Sequence, residues 1–168
     1  MQVVPSWDDM FCDMLDVAAS KSKDESTQVG ALIINSDKVI KSTGFNGMPR
    51  GCNDSAPERH ERPLKYKWFE HAERNAIYNA VRDVLKNHTI YVSWMPCTDC
   101  ARAIIQVGIK RVILVSPSIP LRWKPECDIS MEMFNEAGVF VSLRDFTTTN
   151  RTIRETNSIM TSQFNYYE

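Results

Sequence analysis

The stretch HTIYVSWMPCTDCARAIIQVGIKRVILVS, residues 88–116, decides the fold. Its first part, HTIYVSW, is aromatic and β-branched and reads as a strand. CTDCARAIIQVG reads as a helix stopped by Gly108, because glycine readily adopts the left-handed conformation that ends helices. RVILVS reads as a second buried strand. A strand, a helix and a strand in such close order place the two strands parallel in one sheet. The pattern repeats downstream: ISMEMFNEAG reads as a helix ending at Gly138, and VFVSL as the last strand.

Upstream, QVGALIIN and KVIKSTG are joined at Ser36-Asp37 and read as a hairpin that gives the sheet an antiparallel edge. Residues 7–20 read as an amphipathic helix capped by Ser6, with Trp7, Met10, Phe11, Met14 and Ala18 at helical spacing. Residues 71–86 read as a further helix, with Ala72, Ala76, Ala80 and Leu85 among its apolar positions. Between hairpin and helix, residues 44–67 carry Gly, Pro, Asn and charge without periodicity. A loop that long in a small domain ordinarily has a function. The order α, β, β, α, β, α, β, α, β predicts an α/β fold with a mixed sheet. Residues 1–145 are expected to form one domain, and the polar tail 146–168 has too weak a pattern for any element to be assigned.

The totals agree with one compact domain: of 168 residues, 43% are hydrophobic and 24% charged, enough for a core without disulfide staples. A net charge of -1 gives no electrostatic argument for nucleic acid. Apolar runs such as VGALII are of strand length and predict no membrane span. MQVVPSWDDMFCDM lacks a basic stretch followed by an apolar run, so no secretory signal and a cytoplasmic protein are expected. Five cysteines, an odd number, then read as thiols or metal ligands.

Cys97 and Cys100 are three apart at a predicted helix start, just after Pro96, and share one face. A helix amino end stabilises the thiolates that bind zinc. His71 supplies a third ligand from the start of the other helix, and Glu73 reaches the same region because side chains lean toward the amino end. One His, two Cys and an open position is the ligand count of catalytic zinc. H-x-E followed by P-C-x-x-C is the signature of the zinc nucleobase deaminases. Zinc lowers the pKa of its water to roughly 7. A carboxylate that is not a ligand, Glu73, can then move protons to the ring and to the departing amine. Taken singly, C-x-x-C also reads as a redox pair or half a structural zinc site, and His71-Ala72-Glu73 as a helix start with an incidental acid. A fourth ligand from Cys12, Cys52, Cys127, His60 or His88 would make the zinc structural.

Beyond these motifs the chain resembles the deoxycytidylate (dCMP) deaminases from about Ala19 to Leu143. Four blocks carry the resemblance: SKDESTQVGALI, GFNGMPRGC, HAERNAIYNA and YVSWMPCTDCARAIIQVGIKRVI. The first two are what point to the nucleotide branch. The resemblance implies a three-layer α/β/α cytidine-deaminase-like fold, a mixed five-stranded sheet with helices on both faces. It implies one catalytic Zn2+ on His71, Cys97 and Cys100, with Glu73 as proton shuttle. The substrate it implies is dCMP, converted to dUMP and ammonia in the supply of thymidylate. Substrate contacts are implied for Asn46, the Ala72 backbone, and Ser22 and Lys23 near the phosphate. The family also implies activation by dCTP with Mg2+, inhibition by dTTP and a homo-oligomer, a hexamer for preference. Phe45, Gly47 and Arg82 are then candidates for an effector site or subunit interface.

The chain departs from the family pattern in places. SPSIPLRWKPECD lacks the usual tyrosine, which leaves Arg122 and Trp123 as candidates to close the pocket. Trp94 stands before the metal-site proline where smaller residues are common. ERHERPLKYKW, with four Lys or Arg, reads as a solvated loop or as a closure over an anionic substrate. Alternative substrates are dCTP, a 5-modified dCMP, or cytosine or adenine in single-stranded nucleic acid, which would call for a basic track and stacking aromatics. A zinc-stabilised binding domain is the non-enzymatic alternative, and it has no use for Glu73.

Overall fold

The computed structural model describes residues 4–80, 84–116, 118–144, 153–155 and 165–167. The helices are α1 (Trp7–Ala19), α2 (Lys65–Trp68), α3 (Ala72–Asn79), α4 (Thr98–Gln106) and α5 (Lys124–Glu136). The strands are β1 (Gly30–Ile34), β2 (Ile40–Phe45), β3 (Thr89–Val92), β4 (Arg111–Leu114), β5 (Ser118–Pro120), β6 (Phe140–Arg144), β7 (Ile153–Glu155) and β8 (Asn165–Tyr167).

The main sheet has the order β2-β1-β3-β4-β6-β7. β1 runs antiparallel to β2 and to β3, and β3, β4 and β6 are mutually parallel. The expected mixed five-stranded sheet is therefore present as β2 to β6 in that order. β7 extends it, pairing antiparallel with β6, and β8 pairs with β5 in a separate two-stranded sheet. Both extra strands come from the tail for which the sequence predicted no element.

β1 explains the layering. Its five residues are all buried, although alternate side chains of a strand face opposite ways. Ala31 and Ile33 pack with Ala72 and Ala76 of α3, Ala101 and Ile104 of α4 and Phe134 of α5. Leu32 and Ile34 pack with Phe11, Cys12 and Leu15 of α1. Both faces are covered, which is the condition under which a sheet strand reads as a continuous apolar run. At α1 the Ser6 hydroxyl accepts the Asp9 N–H at 3.1 Å and the Asp9 carboxylate accepts the Ser6 N–H at 3.3 Å, closing a capping box. Gly108 and Gly138 have φ of 81° and 64°, the left-handed conformation expected where α4 and α5 stop.

One helix is shorter than its pattern suggested. α3 ends at Asn79, not near residue 86. Ala72, Ala76 and Ala80 keep a four-residue spacing, but Leu85 falls five beyond Ala80. It is buried from a non-helical segment instead, followed by Asn87 at φ 63°. The aperiodic region 44–67 contains a 3-10 turn at Pro57–His60 and the start of α2.

Candidate active site

α3 and α4 both begin at the metal motifs. His71 is the N-cap of α3 (φ -80°, ψ 152°) and Cys97 the N-cap of α4 (φ -65°, ψ 170°). Neither side chain accepts a capping hydrogen bond, so both are available to a ligand between the helices. α4 follows β3 directly, which puts the site outside the carboxyl ends of the parallel strands, where open α/β sheets bind ligands.

The position of α3 depends on Gly44 of β2. A Cβ there would stand 2.2 Å from the Ala72 carbonyl oxygen and 2.4 Å from the Ala76 nitrogen. The Ser42 hydroxyl donates to the Ala76 carbonyl at 2.7 Å, and Asn75 Nδ2 to the Phe45 carbonyl at 2.8 Å. These contacts hold the amino end of α3 close to the sheet.

His71 Nδ1 lies 3.4 Å from Cys97 Sγ and 3.5 Å from Cys100 Sγ, and the three ligand atoms lie within 4.8 Å of one another. Zinc at ordinary bond lengths and tetrahedral angles sets nitrogen and sulfur ligands about 3.5 Å apart. The three residues therefore fit zinc. Among the described residues no fourth His, Cys, Asp or Glu joins the cluster. His60 Nε2 pairs with the Asp54 carbonyl at 2.7 Å, His88 Nδ1 with the Lys86 carbonyl at 3.1 Å, and Cys12 lies in the α1 core on the other face. Three protein ligands leave a position open to water and substrate.

The electrostatics favour a thiolate at Cys97. Hydrogen bonding with Cys100, then with His71, holds the Cys97 thiol down at about 4. Cys100 is pushed up, chiefly by its hydrogen bond to Cys97. Arg74 Nη1 donates to Cys100 Sγ at 3.7 Å, while its Nε donates to Glu70 Oε1 at 2.5 Å. A fixed positive charge thus stands beside a sulfur ligand. Glu73, 5% exposed, has its carboxyl pushed up mainly by burial, which is how a carboxyl becomes able to hold a proton near neutrality.

A cavity of about 200 Å³ is lined by His71, Ala72, Glu73 and Cys97. Asn46, Trp94, Arg122 and Trp123, all singled out in the sequence, also line it. Asn46 is already well bonded: Oδ1 accepts the Val29 N–H at 2.8 Å, and Nδ2 donates to the Thr27 carbonyl at 2.9 Å and to Asp24 Oδ2 at 3.1 Å. Its carbonyl oxygen keeps one lone pair for a substrate hydroxyl.

Ser22 and Lys23, expected near a phosphate, do not line the cavity. The Ser22 hydroxyl is spent on the Asn46 carbonyl at 2.8 Å, and Lys23 pairs with Asp54 at 2.7 Å. Phe45 is 38% exposed and Gly47 forms a two-way backbone bridge with Glu70, neither on the cavity wall. Arg82 lies outside the described residues.

Sequence reasoning missed the ion pair between Lys65 and Asp24, 2.5 Å long, with side chains 8% and 4% exposed. Lys65 Nζ also donates to Ser26 Oγ at 2.7 Å, and Asp24 Oδ1 accepts the Ser26 and Thr27 N–H groups. Burial acts to raise the Asp24 carboxyl, but the bonds from Lys65 and Ser26 outweigh it and hold the group below its ordinary value. Arg62, Tyr66 and Glu126 also line the cavity. The one available signal was the density of Lys and Arg in ERHERPLKYKW.

The family model described as the cytidine and deoxycytidylate deaminase zinc-binding region matches residues 5–116. The chain belongs to this family. An uncharacterised deaminase of the luxG 3' region in Aliivibrio fischeri is 42% identical over 142 residues, 83% of this chain and 95% of the relative. Human deoxycytidylate deaminase is 40% identical over 138 residues, 79% of this chain and 76% of the human protein. Among solved structures, dCMP deaminase of cyanophage S-TIM5 in complex with dCMP and dUMP superposes with a TM-score of 0.67 at 20% identity, over 84% of this chain and 99% of that one. The likeness confirms the fold. This deaminase has no described helix long and apolar enough to cross a membrane.

Proposed function

We propose that this deaminase hydrolyses dCMP to dUMP and ammonia. The observation that carries the reading is Glu73, buried on the wall of the same cavity as His71 and Cys97. A purely structural zinc site has no use for it.

His71, Cys97 and Cys100 would hold zinc, which supplies a Lewis acid that makes water reactive near neutral pH. The net reaction replaces the amine at C4 of cytosine by the oxygen of water. Glu73 takes a proton from that water and gives it to ring N3. It takes the second proton and delivers it to the amino nitrogen, so that the C4–N bond breaks with ammonia as the leaving group. The carboxyl ends unchanged, as a general acid-base must. In this reading the Ala72 backbone, beside Glu73 on the cavity wall, meets the edge of the pyrimidine, and Asn46 Oδ1 accepts a sugar hydroxyl.

Ammonia release from dCMP, deoxycytidine and an RNA hairpin, measured side by side on zinc-loaded protein, tests the reading. dCMP should be the strongest substrate. Release from the hairpin alone would overturn the reading in favour of an editing enzyme.

Regulation belongs to the same proposal: dCTP with Mg2+ as activator, dTTP as inhibitor, and a hexamer as the assembly. Its support is the resemblance of the GFNGMPRGC loop. dCTP should raise turnover at low dCMP and raise the melting temperature by linkage. A flat response to both nucleotides would remove this part alone.

A further inference from the structure

The cavity wall also carries a cluster of two arginines and two aromatic rings, drawn from the ERHERPLKYKW segment and from the Arg122-Trp123 pair that stands where the family has its tyrosine. Arg62 comes from the 44–67 region, Tyr66 from α2, and Arg122 and Trp123 from the short 3-10 turn Leu121–Trp123. The Tyr66 and Trp123 rings meet edge to face, with centroids 6.4 Å apart and planes at 83°. Arg62 lies over the Tyr66 ring, 6.0 Å from its centroid, and Arg122 over the Trp123 ring at 5.7 Å. The result is an aromatic wall with a guanidinium at each end.

Charge accounting singles out these two arginines. Lys65 also lines the cavity, but Asp24 neutralises it at 2.5 Å. Lys23 is paired with Asp54 outside the cavity. Among the described residues neither Arg62 nor Arg122 has a carboxylate partner. The Glu126 carboxylate on the same wall is occupied at Oε1 by the Thr98 hydroxyl and N–H, at 3.2 and 3.4 Å. The cavity therefore presents two guanidinium groups, from distant parts of the chain, that have no ion-pair partner among the described residues. Planar guanidinium groups match the oxygens of a phosphate, and stacking on a ring pre-orders them for it.

We propose that Arg62 and Arg122, steadied by Tyr66 and Trp123, bind the 5'-phosphate of the substrate, so that the site selects a nucleoside monophosphate over the free nucleoside. The inference rests on the cytosine-nucleotide reading above and names its phosphate contacts. It moves that role from Ser22 and Lys23, whose polar groups are committed elsewhere. The phosphate end of the substrate lies at the Tyr66–Trp123 wall, and the base lies inward at Glu73. These arginines are specificity residues and touch no reacting atom.

The test is calorimetric titration of dUMP and of deoxyuridine into zinc-loaded wild type, Arg62→Gln, Arg122→Gln and the double variant, with zinc content and melting temperature as controls for folding. Loss of one charge-assisted contact should weaken dUMP about tenfold, and the double variant about a hundredfold. Deoxyuridine affinity should change by less than about twofold. Arg122→Lys should recover part of the dUMP affinity, since charge remains and the fork is lost. In kinetics the loss should fall on KM for dCMP more than on kcat. An unchanged dUMP affinity in the double variant would overturn the proposal, as would equal weakening of dUMP and deoxyuridine. Wild type that releases no ammonia from any cytosine nucleotide would defeat the functional reading instead, and the dUMP titrations would still decide the arginines.

Discussion

Gly44 of β2 and Ala72 of α3 approach so closely that a Cβ on Gly44 would lie 2.2 Å from the Ala72 carbonyl oxygen. The neighbour is backbone at the amino end of the helix that presents His71 and Glu73, so relief requires moving the site. Gly44→Ala should cost about 1–3 kcal/mol, the range for overpacking. It should also weaken zinc retention against a chelator. Urea unfolding and metal analysis check both, and an unchanged midpoint with full zinc retention would show that α3 is not held this way.

The Asp24–Lys65 pair predicts a pH dependence. The folded carboxyl of Asp24 lies below its ordinary value. Its contribution to stability is therefore fully present above the ordinary aspartate value, about 4. It is lost as pH falls through the lower, folded value. Asp24→Asn leaves the buried Lys65 charge uncompensated, which should cost about 3–5 kcal/mol at pH 7. The gap between wild type and variant should narrow in acid, read as denaturation midpoints between pH 7 and 3. A gap independent of pH would mean that the ion pair is not the source.

Zinc and folding are coupled through the two helix starts. Cys97→Ser should lose most bound zinc and lower the unfolding midpoint, because the ligands otherwise hold α3 and α4 together. Elemental analysis of purified protein reads the first effect and thermal unfolding the second. Full zinc occupancy in this variant would mean that the metal has other ligands.

Much of this architecture was legible in the residues because it is local. His71-Ala72-Glu73 and Pro96-Cys97-x-x-Cys100 each sit at a helix start, and the N-cap geometry alone aims their side chains between α3 and α4. The apolar run GALII, legible as a strand, is β1, buried on both faces of the sheet. What stayed hidden depends on contacts between distant segments. Lys65 meets Asp24 across 41 positions, and Arg62 and Arg122 reach one cavity from segments 60 apart, with no periodicity to mark either. Asn46 was expected at the sugar. The structure puts it on the cavity wall but also shows its amide tying the 24–29 loop to β2, a role that only three-dimensional partners reveal. The end of α3 is not legible in the residues because Leu85 is apolar and buried, as a helical residue would be, but out of step with Ala80.

The central claim is that Glu73 moves the protons while His71, Cys97 and Cys100 hold the metal. Glu73→Gln keeps the size of the side chain but cannot accept and return a proton at neutral pH. Zinc-loaded Glu73→Gln should fold, bind dUMP with affinity close to wild type, and release ammonia from dCMP about a hundred to ten thousand times more slowly. The loss should appear in kcat, because proton transfer belongs to the transition state. Turnover near that of wild type in the zinc-loaded variant would contradict the account and leave Glu73 a buried acid at the start of a helix.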